Sequence, residues 1–178
     1  PPLFPITARD LRGDWSFDTY DEGTFVAEGF TILAREIPHK GGRTMGIRVS
    51  DGHSSIAYLS DHSPHDLGPG AGGLGELHPA AMELADGVDL LVHDAQYTAH
   101  ELPTRFTWGH AAADYAVTLG RAAGARTVLL FHHDPSRTDD QVFAMGDMLR
   151  GDEADPHAPT VEIATEGRVF SLGARRRG

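Results

Sequence analysis

The chain has no cysteine among its 178 residues. That absence excludes disulfide cross-links and thiolate metal sites, so a bound metal would have to be held by histidine, aspartate or glutamate. Such donors favour zinc, manganese or iron. Long apolar runs are missing too: no segment approaches the roughly 20 residues needed to cross a bilayer. The leading residues, PPLFPITARDLRGDW, lack the charged-then-apolar order of a secretory signal. A soluble, cytoplasmic chain without membrane contact is therefore expected. Positive charge is scarce as well. Fifteen Lys and Arg against 26 Asp and Glu leave a net charge of -11, which argues against a broad electrostatic footprint for nucleic acid. The C-terminal ARRRG is the exception, and it reads as a solvated basic tail.

What is present is 11 histidines and an alternation of strand and helix patterns. A chain of this length can bury about 70% of its unfolded surface in one core. One domain over 1–178 is expected, with 1–23 as a leading segment of little regular structure and 173–178 as the basic tail. Residues 24–37 (TFVAEGFTILAREI) read as one extended segment bent near Gly29. TMGIRVS and SSIAYLS flank Asp51-Gly52-His53, a tight-turn signal between two strands. The glycine-rich stretch from Leu59 to His78 reads as a long loop, and long loops are often functional. A short helix over 79–86 opens with proline, and VDLLVHD is a buried strand. Ala111–Ala123 has helical spacing with a stop at Gly124. TVLLFHH is another strand, Asp139–Arg150 another helix, and VEIAT with RVFSL a closing hairpin around Glu166-Gly167.

Polar residues recur where these strands end. His39 follows Ile37, Asp61 follows Leu59 and Ser60, Asp94 follows Leu90 to His93, and His132 follows Leu129 to Phe131. Taken singly, a strand-end Asp commonly caps a turn and a strand-end His is ordinary surface. Taken together, four strand ends with metal-type donors favour a common site, since ligands in α/β folds gather at the carboxyl ends of strands. His93 reads as a satisfied core histidine. His53, His62, His65, His78, His100 and His157 carry no signal beyond ordinary structure. Trp108 is expected to pack or to shape a pocket wall.

Three segments, PHKGGRTMGIRVSDGHSSIAYLSD, LADGVDLLVHDAQYTAHE and WGHAAADYAVTLGRAAGARTVLLFHHDP, together resemble the C-terminal portion of metallo-β-lactamase-fold hydrolases. The likeness covers roughly residues 36 to 136 and is to the phosphodiesterase branch that includes ribonuclease Z. It implies an α/β fold, a metallo-β-lactamase-like αββα sandwich, here mainly its C-terminal half with a mixed sheet and helices on one face. It also implies two divalent metal ions, zinc with manganese or iron as alternatives, held by His39, Asp61 and His132, with Asp61 as the bridging ligand. His110 and Asp94 would assist catalysis, and Asp134 would orient His132 or His133. Alternation along the strand leaves His133 facing outward.

The family's HxHxDH signature, which would supply the remaining ligands, is absent from this sequence. A chain that starts at Pro1 is compatible with a missing N-terminal half, and a partner chain or homodimer is compatible as well. The resemblance implies a metal-dependent hydrolase of a phosphodiester, its substrate a small-molecule or nucleotide phosphodiester. Alternatives are a hydrolase of a thioester or lactone on the same metals, or a degenerate binding module without catalysis.

Overall fold

The computed structural model describes residues 10–15, 17, 19–151, 155 and 157–173. Residues 1–9 of the leading segment and the basic tail beyond Gly173 lie outside the described residues. Seven strands pair in chain order into one sheet. The segment expected to be one bent strand is a hairpin: β1 (Gly23–Ala27) lies antiparallel to β2 (Phe30–Ile37), with Ala27 opposite Phe30. Glu28 and Gly29 close it at φ 50° and 82°, the pair of positive values a two-residue type I′ turn requires. With Glu rather than Asn or Asp in the first position, the turn carries little sequence signal. β3 (Thr44–Ser50) and β4 (Ser55–Leu59) form the second hairpin, and the Asp51 carboxylate accepts from the backbone of His53 and Ser54 at 2.8 and 2.7 Å.

From β4 onward the pairing is parallel, through β5 (Leu90–Asp94), β6 (Thr127–Phe131) and β7 (Thr160–Ile163). Parallel neighbours need crossovers, and these carry α1 (Pro79–Ala85), the single turn α2 (Leu102–Arg105), α3 (Ala113–Ala122) and α4 (Asp139–Leu149). The expected closing hairpin does not form. The Thr165–Arg168 turn closes through its backbone at 3.3 Å, but residues 168–172 are not a strand. Arg168 instead turns back to Glu162 at 2.9 Å and lies over the Phe170 ring.

Helix α3 buries Ala113, Ala116, Leu119 and Gly120, spaced i, i+3, i+6, i+7 along one face of an amphipathic helix. Gly120 is there for close approach, since a Cβ on it would meet Val128 Cγ2 at 2.2 Å. Leu91, Leu119 and Leu130 are each 0% exposed, and full burial of such a side chain stabilises by about 1.5–3 kcal/mol. α1 contacts β2, β3 and β4, α3 contacts β5 and β6, α4 contacts β7, and α3 touches both α1 and α4. The helices thus cover one face of the sheet. On the other face the strand registers align Ile32, Val49, Ile56 and Leu90 in one row and Ile47, Tyr58, Val92 and Leu129 in the next. Ile56 and Tyr58 are 37% and 39% exposed there, although parallel strands are normally covered on both faces.

Candidate metal centre

β4, β5 and β6 run parallel, and the two antiparallel reversals from β2 through β3 to β4 give β2 the same direction. Four carboxyl ends therefore share one edge of the sheet. His39 stands two residues past β2, Asp61 two past β4, Asp94 closes β5, and His132 directly follows β6. His110 reaches the same place from the segment before α3, where Tyr97 and Ala112 form an isolated parallel bridge. The structure brings all five sequence-predicted residues into one cluster.

The distances fit a cation. Donor atoms of His39, Asp61 and His110 lie within 4.8 Å of one another, and so do those of Asp94, His110 and His132. His132 Nε2 is 3.4 Å from Asp61 Oδ1, and its Nδ1 is 3.5 Å from Asp94 Oδ2. Those gaps are too long for good hydrogen bonds. They match the separation of about 3.4 Å expected for two ligands that share a tetrahedral ion at about 2.0–2.1 Å from each. Asp61 and His132 also adopt φ 55° and 58°. Glu28 is the one other non-glycine residue in that region among those described, and such strain tends to gather at functional sites.

Hydrogen bonds set the imidazole faces. His39 Nδ1 donates to the Gly109 carbonyl at 2.7 Å, since a carbonyl can only accept, and this leaves Nε2 to present its lone pair. A metal-binding histidine is commonly oriented in this way. His110 Nδ1 donates to Asp94 Oδ2 at 2.8 Å and stands 4.0 Å from Asp61. The hydrogen bond to Asp94 raises the His110 pKa above its ordinary value, burial opposes this, and the charges of Asp94 and Asp61 add to the rise. His110 stacks on His132 with centroids 4.8 Å apart. Asp94 is fully buried, and its other oxygen accepts from the backbone of Gln96 and Ala111 at 3.1 and 3.3 Å. His110 can therefore give Nε2 to an ion when neutral, or hold a proton there when charged.

Two expectations are corrected. His133 does not face outward: both ring nitrogens are buried, because the positive φ of His132 breaks the strand alternation. Asp134 orients neither histidine. Its carboxylate is taken by Arg105 at 2.9 Å and by the backbone and hydroxyl of Ser136 at 2.9 and 2.6 Å. The Arg105 guanidinium also sits 5.2 Å from the Tyr97 ring centroid and 5.7 Å from that of Trp108, which stays 57% exposed.

His93 is buried and hydrogen-bonded, and His78 caps α1 by accepting from Ala80 N–H at 3.2 Å. Two residues that matter to the geometry carried no sequence signal. Gly109 touches His39, and a Cβ there would meet its ring at 3.1 Å. His62, inside the glycine-rich loop, is 0% exposed.

Residues 16–133 match the model of the beta-lactamase superfamily domain. A ribonuclease Z from Brevibacillus brevis is 36% identical over 98 residues, covering 54% of this chain and 30% of that protein. The metallo-beta-lactamase fold protein YhfI from Bacillus subtilis superposes with a TM-score of 0.61 at 19% identity, over 84% of this chain and 52% of that one. Human tRNase Z, short form, superposes with a TM-score of 0.59 at 20% identity, over 84% and 46%. The chain thus spans about a third of that curated relative and about half of those solved structures.

Proposed function

The chain belongs to the beta-lactamase superfamily, and from that membership we propose that it forms the rear half of a metal-dependent hydrolase acting on a phosphodiester. The observation that carries this reading is the strand-end cluster, in which donor atoms of His39, Asp61 and His110 gather within 4.8 Å and His132 Nε2 lies 3.4 Å from Asp61 Oδ1, the spacing of two ligands on one cation. The ribonuclease Z and tRNase Z names of similar proteins support a phosphodiester, in nucleic acid or a smaller nucleotide, as the substrate class. His39, Asp61 and His132 would hold the metal, with room for two divalent ions of zinc, manganese or iron. When bound, such ions lower the pKa of a water and orient it toward phosphorus.

The chain's own residues do the rest. His39 and His132 would each turn a ring-nitrogen lone pair to the metal, and Asp61 would supply a carboxylate oxygen. Asp94 holds the His110 proton, so that Nε2 protonates the oxygen that leaves as the P–O bond breaks. The uncovered sheet face at Ile56 and Tyr58 is where the remaining half of such a fold would pack, supplying the ligands this sequence lacks.

Metal analysis of the chain purified without chelator tests the reading. Stoichiometric zinc, manganese or iron is expected, and Asp61→Ala should lose it. Wild-type protein with no bound metal would overturn the hydrolase reading and leave a binding module in its place. Side-by-side turnover of bis(4-nitrophenyl) phosphate, a thioester and a lactone, with the complementary half supplied, separates the substrate classes.

A further inference from the structure

His62 takes no part in the chemistry above, yet it is wholly buried in a loop otherwise rich in glycine. Its Nδ1 lies 2.9 Å from Nε2 of His93, which is wholly buried too. His93 Nδ1 in turn lies 2.7 Å from the carbonyl oxygen of Asp94. A carbonyl only accepts, so the His93 proton is on Nδ1. With the His93 proton on Nδ1, the lone pair of that ring lies on Nε2 and faces His62. His93 Nε2 must then accept and His62 Nδ1–H must donate. The hydrogen bonds run one way, from His62 to His93 to the backbone of Asp94.

The neighbouring residues are fastened from the other side. Ser63 N–H donates to the Pro38 carbonyl at 2.7 Å, and Pro38 immediately precedes His39. The stretch 61–63 is thus tied by a side chain to the end of β5 and by its backbone to the loop after β2. Tyr115 of α3 packs against both rings, at 5.5 Å from His62 and 5.6 Å from His93, and its hydroxyl donates to the Glu76 carbonyl at 3.1 Å. At the head of the stretch stands Asp61 with φ 55°, a conformation that persists only where its surroundings over-determine it.

An apolar pair would fill this space without the desolvation cost of two imidazoles. What it would lack is direction. A hydrogen bond between two buried rings fixes one loop against one strand, where apolar contact tolerates sliding. We infer that His62 and His93 are positioning residues, a buried brace that sets Asp61 against Asp94 and, through Ser63, against His39. The inference rests on the reading of Asp61 as a metal ligand.

Three variants and two readouts test it. His62→Leu removes the donor, His62→Asn keeps an amide N–H near the position of Nδ1, and His62→Gln moves the donor one bond further out. In metal-free protein the Ser63 amide should exchange at least about tenfold faster in His62→Leu than in wild type or His62→Asn. Zinc affinity, read by competition with a chromophoric chelator, should fall about 10- to 100-fold in His62→Leu and recover in His62→Asn.

If the leucine variant does not fold, the Asn and Gln variants carry the same comparison. Unchanged Ser63 exchange in a folded His62→Leu, with zinc bound as in wild type, would overturn the brace alone. Faster exchange with unchanged zinc affinity would overturn its role in placing Asp61. Wild-type protein that binds no zinc, with the exchange effect present, would overturn the proposed function and leave the brace standing.

Discussion

Gly109→Ala tests how firmly the fold holds the His39 ring. Gly109 lies at φ 91°, ψ 21°, and its carbonyl accepts the Nδ1–H of His39 at 2.7 Å. A Cβ there would meet Lys40 Cβ at 2.7 Å and His39 Cε1 and Nδ1 at 3.1 Å. Two costs follow. Left-handed backbone strain for a non-glycine residue is about 1–2 kcal/mol, and overlap with atoms next to the backbone adds about 1–3 kcal/mol. At about 2–4 °C per kcal/mol for a chain of this size, the sum lowers Tm by roughly 4–20 °C. Gly124→Ala is the control, because Gly124 has φ 67° and nothing within 4 Å of its added Cβ. It should show the strain alone, a loss of about 2–8 °C. Thermal unfolding by circular dichroism and zinc competition on both variants separate the effects. The Gly109 variant alone should lose zinc affinity, because its Cβ pushes the imidazole away from Asp61. A Gly109→Ala protein that matches Gly124→Ala in Tm, or keeps wild-type zinc affinity, would refute the reasoning.

Two further outcomes follow from the same contacts. His110 has its pKa raised from 6.5 mainly by the hydrogen bond to Asp94, so in metal-free protein its contribution to stability is fully present below the ordinary imidazole range. It is lost as pH rises through the raised folded value. Urea midpoints measured with chelator across that range should show the stability of wild type relative to Asp94→Asn falling as pH rises, the buried His62, His93 and His133 giving both proteins the same background; parallel profiles would exclude the pair as its source. Ile56→Glu with Tyr58→Glu places two charges on the uncovered sheet face, where both side chains are more than a third exposed. The double variant should keep the chain's own fold, with a Tm change within a few degrees. It should also abolish any self-association seen by sedimentation, and undiminished association would place the contact elsewhere.

The strands and helices were legible wherever apolar periodicity was strong. β5 and β6 are buried runs ended by polar residues, and α3 has its face spaced at three and four residues. Asp61 and His132 were legible because they stand where such runs stop. The β1–β2 hairpin was not, because its turn uses Glu28, a residue type with no turn preference, at φ 50°. The end of the chain misled for the opposite reason: RVFSL alternates like a strand, but Arg168 is drawn back to Glu162. His133 was assigned by alternation, and alternation fails one residue past β6 because His132 is left-handed. His62 could not be found from sequence at all. Its partner His93 lies 31 residues away, and nothing in a glycine-rich loop marks which side chain turns inward.

The backbone strain at Asp61 gives one more prediction, and its sign depends on the metal. At φ 55° an aspartate costs about 1–2 kcal/mol that glycine would not. Glycine also raises the entropy of the unfolded chain, which costs about 0.5–1 kcal/mol. Metal-free Asp61→Gly should therefore equal wild type or exceed it by about 1 kcal/mol, although it deletes a carboxyl side chain at the sheet edge. With zinc the order should reverse. An ion that binds only the folded state adds RT ln(1 + [L]/Kd), about 2.7 kcal/mol at a hundredfold excess over Kd, and the variant lacks the carboxylate that lies 3.4 Å from His132. Tm measured for both proteins with chelator and then with rising zinc should cross. Parallel lines would mean that the strain is held for packing rather than for a ligand. A variant less stable than wild type even with chelator would mean that the Asp61 side chain, which accepts from Ser60 Oγ at 3.1 Å, supports the loop by itself.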